Sequence, residues 1–399
     1  MNTIPRSERY LTMVTDKNNN KFYHMIPNTN GTWQAIWGRI GGAGGVGRSS
    51  SCTYESHQWD SKYAEKLHKG YRDISDIYFQ TDPEVKEETS KEPEDNSVSA
   101  NLMRFLAIEA RNFARASYTV GVEHISPAMI EKGNEILLKM NTAAKQANVR
   151  EFNSLLSELY CTVPRAISDT RRCFPALSST GEALSRIVNN ETSMLDSIAS
   201  VASYAKKSSF STPSYENLII SKANAEDEKM IKALMENKAY HFTQAWKISN
   251  VLTEKKFEAY KGSKETKLLW HGSRNENFLS ILQNGLLLNP NAVLTGKMFG
   301  YGIYFAPSFQ KSLGYTSLEG SYWARGSRDF GFIALFEVAT GKSYDVYNHS
   351  SYLSSFREKD IKAKHCDSLF AHKGSMLRND EIVVYNESAC TIRYLVQVE

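Results

Sequence analysis

Residues 298–315 read MFGYGIYFAPSFQKSLGY. The apolar run Gly302–Phe305 predicts a short strand, and Ser308–Tyr315 predicts a helix directly after it. Tyr304 sits in the strand-like run and Tyr315 at the end of the helix-like run, so the two phenols can face each other across a flat ring. Ser312 shares the short segment of Tyr315. A strand this short, followed by a helix this short, sets the texture of the whole C-terminal half. From about Tyr215 the sequence predicts a helix over Glu226–Asn237. Short β-rich runs then follow at Phe242–Ile248, Lys267–Trp270, Gly302–Phe305, Phe332–Val338, Glu381–Tyr385 and Arg393–Val398. After that first helix only Ser273–Asn284 and Ser308–Tyr315 read as helical. Many short strands with few helices argue for an α+β domain on split antiparallel sheets, not a doubly wound fold.

Two further stretches in this half carry chemistry. LLWHGSRNENFLSILQNGL, residues 268–286, ends a strand at Trp270 and turns through His271, Gly272 and Ser273 into a helix. An imidazole, a bare backbone and a hydroxyl at a strand end can together hold a polar ligand edge. RNDEIVVYN, residues 378–386, places Glu381 at the head of an otherwise apolar β-run, where an acid costs desolvation unless it is paired or functional.

Upstream, residues 98–214 turn helical. Leu102, Phe105, Leu106, Ile108 and Phe113 fall at near-helical spacing, and Ser126-Pro127 puts a capping hydroxyl before a proline at a first helical position. Met129, Ile130, Ile136, Leu137 and Met140 make a second stripe. Leu155, Leu156 and Leu159 make a third, and Met194, Leu195, Ile198 and Val201 a fourth. No catalytic constellation appears there, and the methionines read as core filler. Residues 81–97, TDPEVKEETSKEPEDNS, are dense in acids and read as a solvated linker.

Residues 1–80 are rich in aromatics and glycine, with strand-like runs at Arg9–Thr15 and Thr32–Ile40. Gly42-Ala-Gly44-Gly-Val-Gly47 matches a dinucleotide fingerprint, but RSSSCTY follows it where a helix must open to seat a pyrophosphate. It reads as a glycine-rich hairpin loop, which removes the support for a nicotinamide-dependent dehydrogenase. Trp37-Gly38-Arg39 offers a flat aromatic face for a sugar or base and a planar fork for phosphate.

The chain has 399 residues, 41% hydrophobic and 23% charged, with a formal net charge of +4, an ordinary globular balance of two to four domains. That charge excludes a polyanionic chain and does not by itself make a nucleic-acid binder. No apolar run reaches membrane-spanning length, and the start MNTIPRSERY lacks a signal-peptide core, so an intracellular protein off the membrane is expected. Cys52, Cys161, Cys173, Cys366 and Cys390 are scattered, with no CxxC pair, which fits a reducing compartment and predicts neither a disulfide framework nor a structural zinc site.

In this order and together, these pieces resemble one family, the DNA-dependent poly(ADP-ribose) polymerases. The resemblance rests on WGR at 37–39, LLWHGS at 268–273, MFG-x-GIYFA at 298–306, KS-x-x-Y at 311–315 and E-x-x-VY at 381–385. SELYCTVPR (157–165) and SMLDSIASVASY (193–204) extend it through the helical stretch. It implies a WGR DNA-binding domain at 1–80, the acidic linker at 81–97, a helical regulatory domain at 98–214 and an ADP-ribosyltransferase catalytic domain at 215–399. It implies NAD as substrate, no metal, DNA ends or nicks as a partner through Trp37 and Arg39, and protein acceptors including the chain itself.

Residue by residue, the family's His-Tyr-Glu set falls on His271, Tyr304 and Glu381. By resemblance, His271 seats the adenosine ribose and Tyr304 and Tyr315 sandwich the nicotinamide. The Gly272 backbone and the Ser312 hydroxyl hold the carboxamide, and Ser273 and Asn277 lie near the adenosine half. Glu381 stabilises the charge that builds on the ribose and orients the incoming hydroxyl. A Glu there keeps chain elongation open. The sequence departs from the pattern at Leu287 and Tyr301, where the best-known member has an arginine and a lysine. The implied enzyme is DNA-break-stimulated and a monomer without DNA. It acts in the nucleus of a eukaryote, or in the cytoplasm or nucleoid in a bacterial or viral setting. A mono-ADP-ribosyltransferase and a non-catalytic DNA-end scaffold are the alternatives.

Overall fold

The structure, a computed structural model, describes residues 7–40, 49–79, 97–117, 125–165, 167–207, 217–288, 298–318, 329–348 and 350–399. The glycine loop at 42–47 and all but the last residue of the acidic stretch 81–97 lie outside them. The described residues fall into two compact units, one of 7–79 with 111–206, the other of 97–110, 207–288 and 298–399.

In the first unit, β1 (Arg9–Thr15), β2 (Asn19–Pro27), β3 (Thr32–Arg39), β4 (Ser49–Glu55) and β5 (Arg72–Asp73) form an antiparallel sheet in the order β4-β3-β2-β1-β5. Its one face gathers Leu11, Tyr23, Met25, Trp33 and Ala35 under Trp59 of α1 (Trp59–His68). α2 (Ser75–Tyr78) closes this region, and α3 (Val98–Ser117) is divided between the two units. α4 (Pro127–Lys145), α5 (Val149–Thr162) and α6 (Gly181–Lys207) supply the helices. The Ser126 hydroxyl caps α4 by accepting from Met129 N at 3.1 Å, as the Ser-Pro pair predicts. On the opposite face of the sheet, α5 covers β1. Thr12 Oγ1 donates to Cys161 O at 3.0 Å, and the Ser157 hydroxyl of α5 donates to Val14 O. β1 is therefore buried on both sides, which explains its nearly unbroken apolar run.

The second unit holds β6 (Leu218–Lys222), α7 (Ala225–Leu234), β7 (Phe242–Asn250), α8 (Val251–Lys261), β8 (Thr266–Gly272), α9 (Phe278–Asn284), β9 (Ile303–Phe305) and α10 (Phe309–Leu313). β10 (Gly331–Ala339), β11 (Ser343–Val346), α11 (Glu358–Ala363), β12 (Ser368–Ala371), β13 (Glu381–Val384) and β14 (Cys390–Val398) complete it. One sheet runs β6-β7-β14-β10-β8, antiparallel throughout. The other runs β11-β12-β13-β9, parallel only between β11 and β12. The two meet where Trp270 N donates to Ala306 O at 2.9 Å and Ala306 N returns a bond to Trp270 O at 3.0 Å. This is the expected α+β architecture with split antiparallel sheets.

Helices α8 and α11 correct the sequence reading, which has only two helices after α7. Each buries a single large apolar side chain, Phe257 or Ile361, so neither shows a periodic stripe. α8 is nucleated instead by its cap, where Asn250 Oδ1 accepts from Leu252 N at 3.0 Å and Thr253 N at 3.1 Å.

Candidate functional site

The junction of the two sheets in the second unit gathers the singled-out residues. His271 stands at the end of β8, held by pairing with Ala334 of β10. Its ring contacts the Phe305 and Phe336 rings at 5.8 and 5.9 Å, and its Nδ1 lies 3.0 Å from Tyr304 O. A nitrogen bound to a carbonyl must carry the proton, so Nδ1–H donates and Nε2 is left as the other face of the ring. The same main-chain segment thus fixes both the imidazole and the phenol-bearing strand.

Tyr304 is locked at its far end. Its hydroxyl accepts from Phe299 N at 3.1 Å and donates to Gly300 O at 3.0 Å. The turn that supplies these groups needs glycine: Gly300 has φ of +80°, and a Cβ there would lie 2.2 Å from Phe356 O. Burial pushes the Tyr304 phenol well above its ordinary value, and the Glu381 carboxylate adds to the rise.

Glu381 opens β13. Val383 pairs with Tyr304 across β9 and β13, so Glu381, two residues earlier, projects from the same sheet face. Its carboxylate lies 2.6 Å from Lys311 Nζ of α10, both side chains being little exposed (12% and 13%). Lys311 Nζ also donates to Asn379 O at 3.2 Å. Burial lowers the Lys311 ammonium below the usual lysine range, against the pull of Glu381. Lys311 is the candidate side chain at this site that sequence reasoning missed. It appears in the KS-x-x-Y motif, but nothing local signals a partner at residue 381.

Gly272, Ser312 and Tyr315 come together next to this pair. A Cβ on Gly272 would fall 1.9 Å from Ser312 O and 3.2 Å from Tyr315 Cβ. The Ser312 hydroxyl donates to Trp270 O at 3.1 Å, and Tyr315 N donates to Ser312 O at 3.1 Å. Tyr315 is 40% exposed, and partial burial with the Glu381 charge pushes its phenol up to about 12. Ser273 and Asn277 form a side pair, Asn277 Nδ2 donating to Ser273 Oγ at 3.0 Å, while the buried Asn277 Oδ1 has no hydrogen-bond partner among the described residues.

Trp37 and Arg39 lie in the first unit. Trp37 is half-buried on β3, its ring 6.0 Å from that of Tyr23. Arg39 is engaged by protein: Nη1 donates to Asn18 O at 2.9 Å, and Nη2 to Asn18 Oδ1 at 2.6 Å and Ser168 O at 2.9 Å. Among the described residues, no group of three His, Cys, Asp or Glu side chains is placed to hold a metal ion. No described helix is long and apolar enough to cross a membrane.

Comparison with known proteins identifies the family. The poly(ADP-ribose) polymerase catalytic domain model matches residues 225–399, and the WGR domain model matches residues 7–77. Poly [ADP-ribose] polymerase 2 of Zea mays is 23% identical, the match spanning 96% of this chain and 68% of that protein. A putative poly [ADP-ribose] polymerase-like protein, 100L, of Invertebrate iridescent virus 6 is 30% identical over 34% of this chain and 72% of its own length. Poly [ADP-ribose] polymerase 1 of Gallus gallus is 35% identical over 32% of this chain and 13% of its own. The chain belongs to the poly(ADP-ribose) polymerase family, as an NAD+ ADP-ribosyltransferase that carries a WGR domain.

Proposed function

We propose that this enzyme transfers ADP-ribose from NAD to protein side chains, its own included, in response to DNA ends, and that it elongates the product. The observation that carries the reading is the carboxylate of Glu381, held by Lys311 on the sheet face that bears Tyr304. The residues present suit NAD: a bare Gly272 backbone beside Ser312 and Tyr315 for the nicotinamide amide, and an orphaned Asn277 oxygen for the polar far half.

In the proposed step the bond between ribose C1′ and the nicotinamide nitrogen breaks, and its electron pair leaves with neutral nicotinamide. Positive charge builds on the ribose, and the Glu381 carboxylate stabilises it. The acceptor oxygen bonds to C1′, and its proton passes to Glu381. Tyr304 and Tyr315, raised phenols and hence neutral at physiological pH, flank the leaving ring without adding charge. We place the WGR domain at 1–80, the linker at 81–97, the helical regulatory domain at 98–214 and the catalytic domain at 215–399. The DNA end is received at Trp37.

Labelled NAD incubated with the chain, with and without nicked or blunt duplex DNA, tests the whole reading on one gel. A ladder that appears only with DNA supports it. A single modified band assigns mono-transfer, and absence of nicotinamide release assigns a scaffold. Trp37→Ala is expected to bring the ratio of DNA-stimulated to unstimulated transfer close to one; an unaltered ratio removes the tryptophan from DNA sensing.

The ion pair makes the reaction pH-sensitive. Lys311 has a lowered pKa, so its ammonium is intact at low pH and lost, as pH rises, before an ordinary lysine would lose its proton. kcat is therefore expected to fall on an alkaline limb below the ordinary lysine value of 10.5, and Lys311→Arg, which stays charged, is expected to move that limb upward. A limb at the same pH in the variant assigns the decline to another group.

A further inference from the structure

We infer that the nucleic-acid surface of this chain continues past the WGR triplet onto the segment 167–172, where Arg171 and Arg172 contact phosphates. The inference rests on the DNA-end reading above. Trp37 and Arg39 share one face of β3, roughly 7 Å apart along the strand. Arg39, the cation expected to meet phosphate, spends the three hydrogen bonds described above on Asn18 and Ser168. Its planar fork is turned inward as a fastener, and what it fastens is a more exposed pair of the same side chains.

The fastening is extensive. Besides the Arg39 bond to Ser168 O, Thr170 N donates to Asn18 Oδ1 at 3.2 Å and Thr170 Oγ1 donates to Thr15 O at 2.6 Å. Asn20 Nδ2 lies 3.2 Å from Ile167 O. Thr170 is fully buried by these contacts, so the tight turn Thr170–Arg172 is set rigidly against the β1–β2 connection. Its two arginines point outward, with Arg171 65% and Arg172 87% exposed. Asp169 takes Arg171 Nε at 2.8 Å and Nη2 at 3.0 Å and stands 3.8 Å from Arg172 Nε. That contact orients Arg171 by its inner edge and leaves Arg172 as an open fork.

The surroundings favour an anion. Lys17 sits in the β1–β2 connection, and Lys21 pairs across the sheet with Arg39. With Arg171 and Arg172 this stretch of surface carries four cations, against the two acids Asp16 and Asp169. A duplex offers one phosphate per ~3.4 Å of axis on each strand, so a duplex end stacked at Trp37 presents further phosphates to a surface reaching residue 172. The turn fixes the backbone from which both guanidinium groups reach them, and a guanidinium can meet a phosphate with two parallel bonds.

The test uses the full chain and a fluorescent blunt-ended DNA duplex, with Kd measured between about 50 and 200 mM salt. Arg171→Gln/Arg172→Gln is expected to weaken binding about tenfold and to flatten the slope of log K against log salt by about two, one per lost phosphate contact. Thermal melting is expected to match the parent, since both side chains are solvated. Trp37→Ala is expected to weaken binding with the salt slope preserved, because stacking releases no counterions. A parental slope and affinity in the double arginine variant, with Trp37→Ala still weakened, overturns the extended surface and leaves the DNA-end reading standing. Failure of the unaltered chain to bind the duplex overturns both.

Discussion

Glu381→Gln is expected to lower the rate of ADP-ribose transfer by about 10²–10³-fold, the cost of removing one preorganised electrostatic group from a transition state. The amide matches the carboxylate in volume and keeps an oxygen toward the ribose, so the change isolates charge. The ground-state nicotinamide is itself cationic, so some of the Coulombic attraction is present before reaction. The larger part develops as the glycosidic bond stretches and the charge moves onto the ribose, where the carboxylate is aimed. NAD affinity, which the proposed function assigns to Tyr304, Tyr315, Ser312 and the Gly272 backbone, is expected to change by no more than about threefold, because uniform binding and transition-state stabilisation are separable. The variant also leaves the Lys311 ammonium opposite a neutral group in a site that is already little exposed. Nicotinamide release and product length, read together, check the prediction. Long polymer from Glu381→Gln would remove the acid from the mechanism.

The sequence carries some of this arrangement openly and hides the rest, and the line between the two is the range of the interaction. Strands β1, β3, β9 and β13 are legible because local composition decides them: β-branched and aromatic runs broken by glycine or polar turns. β6, β11 and β12 are short segments whose strand state is settled by neighbours far away in the chain, and they escape such reading. The motif-bearing residues His271, Tyr304 and Glu381 announce themselves by type and context. Their mutual placement does not, because it comes from the register Val383 to Tyr304 and from the bridge Trp270 to Ala306, neither of which leaves a local mark.

Lys311 shows the limit most clearly. Beside Ser312 nothing in the local sequence marks it for a partner. Only when β13 is laid against β9 does Glu381 arrive within 2.6 Å. Arg39 shows the converse. Its residue type suggests an open phosphate fork, and the positive φ of Asn18, at 61°, turns a carbonyl and an amide oxygen toward it instead.

Gly272→Ala is expected to lower kcat/KM for NAD by about 10²-fold, the penalty for displacing positioning groups by about 1 Å. β8 cannot easily shift away from an added methyl, since Gly272 is held in the sheet by pairing with Ile333 of β10 beside it. The methyl would stand 1.9 Å from Ser312 O, and a backbone oxygen cannot rotate aside as a side-chain tip can. The segment from Ser312 to Tyr315 must therefore move outward. It carries with it the Ser312 hydroxyl, the Tyr315 ring and, one residue upstream, Lys311 with its hold on Glu381. Overpacking of this kind also costs about 1–3 kcal/mol of stability, so lost activity alone would not identify the cause. Gly262→Ala separates the two effects. Gly262 has φ of +50° and nothing within 4 Å of an added Cβ, so that variant is strained in its backbone but touches no neighbour. It is expected to melt earlier than the parent while keeping the parental KM for NAD. If Gly272→Ala likewise kept the parental KM and kcat at temperatures where it is folded, the bare backbone at 272 would be a packing requirement of the sheet junction and no part of the nicotinamide site.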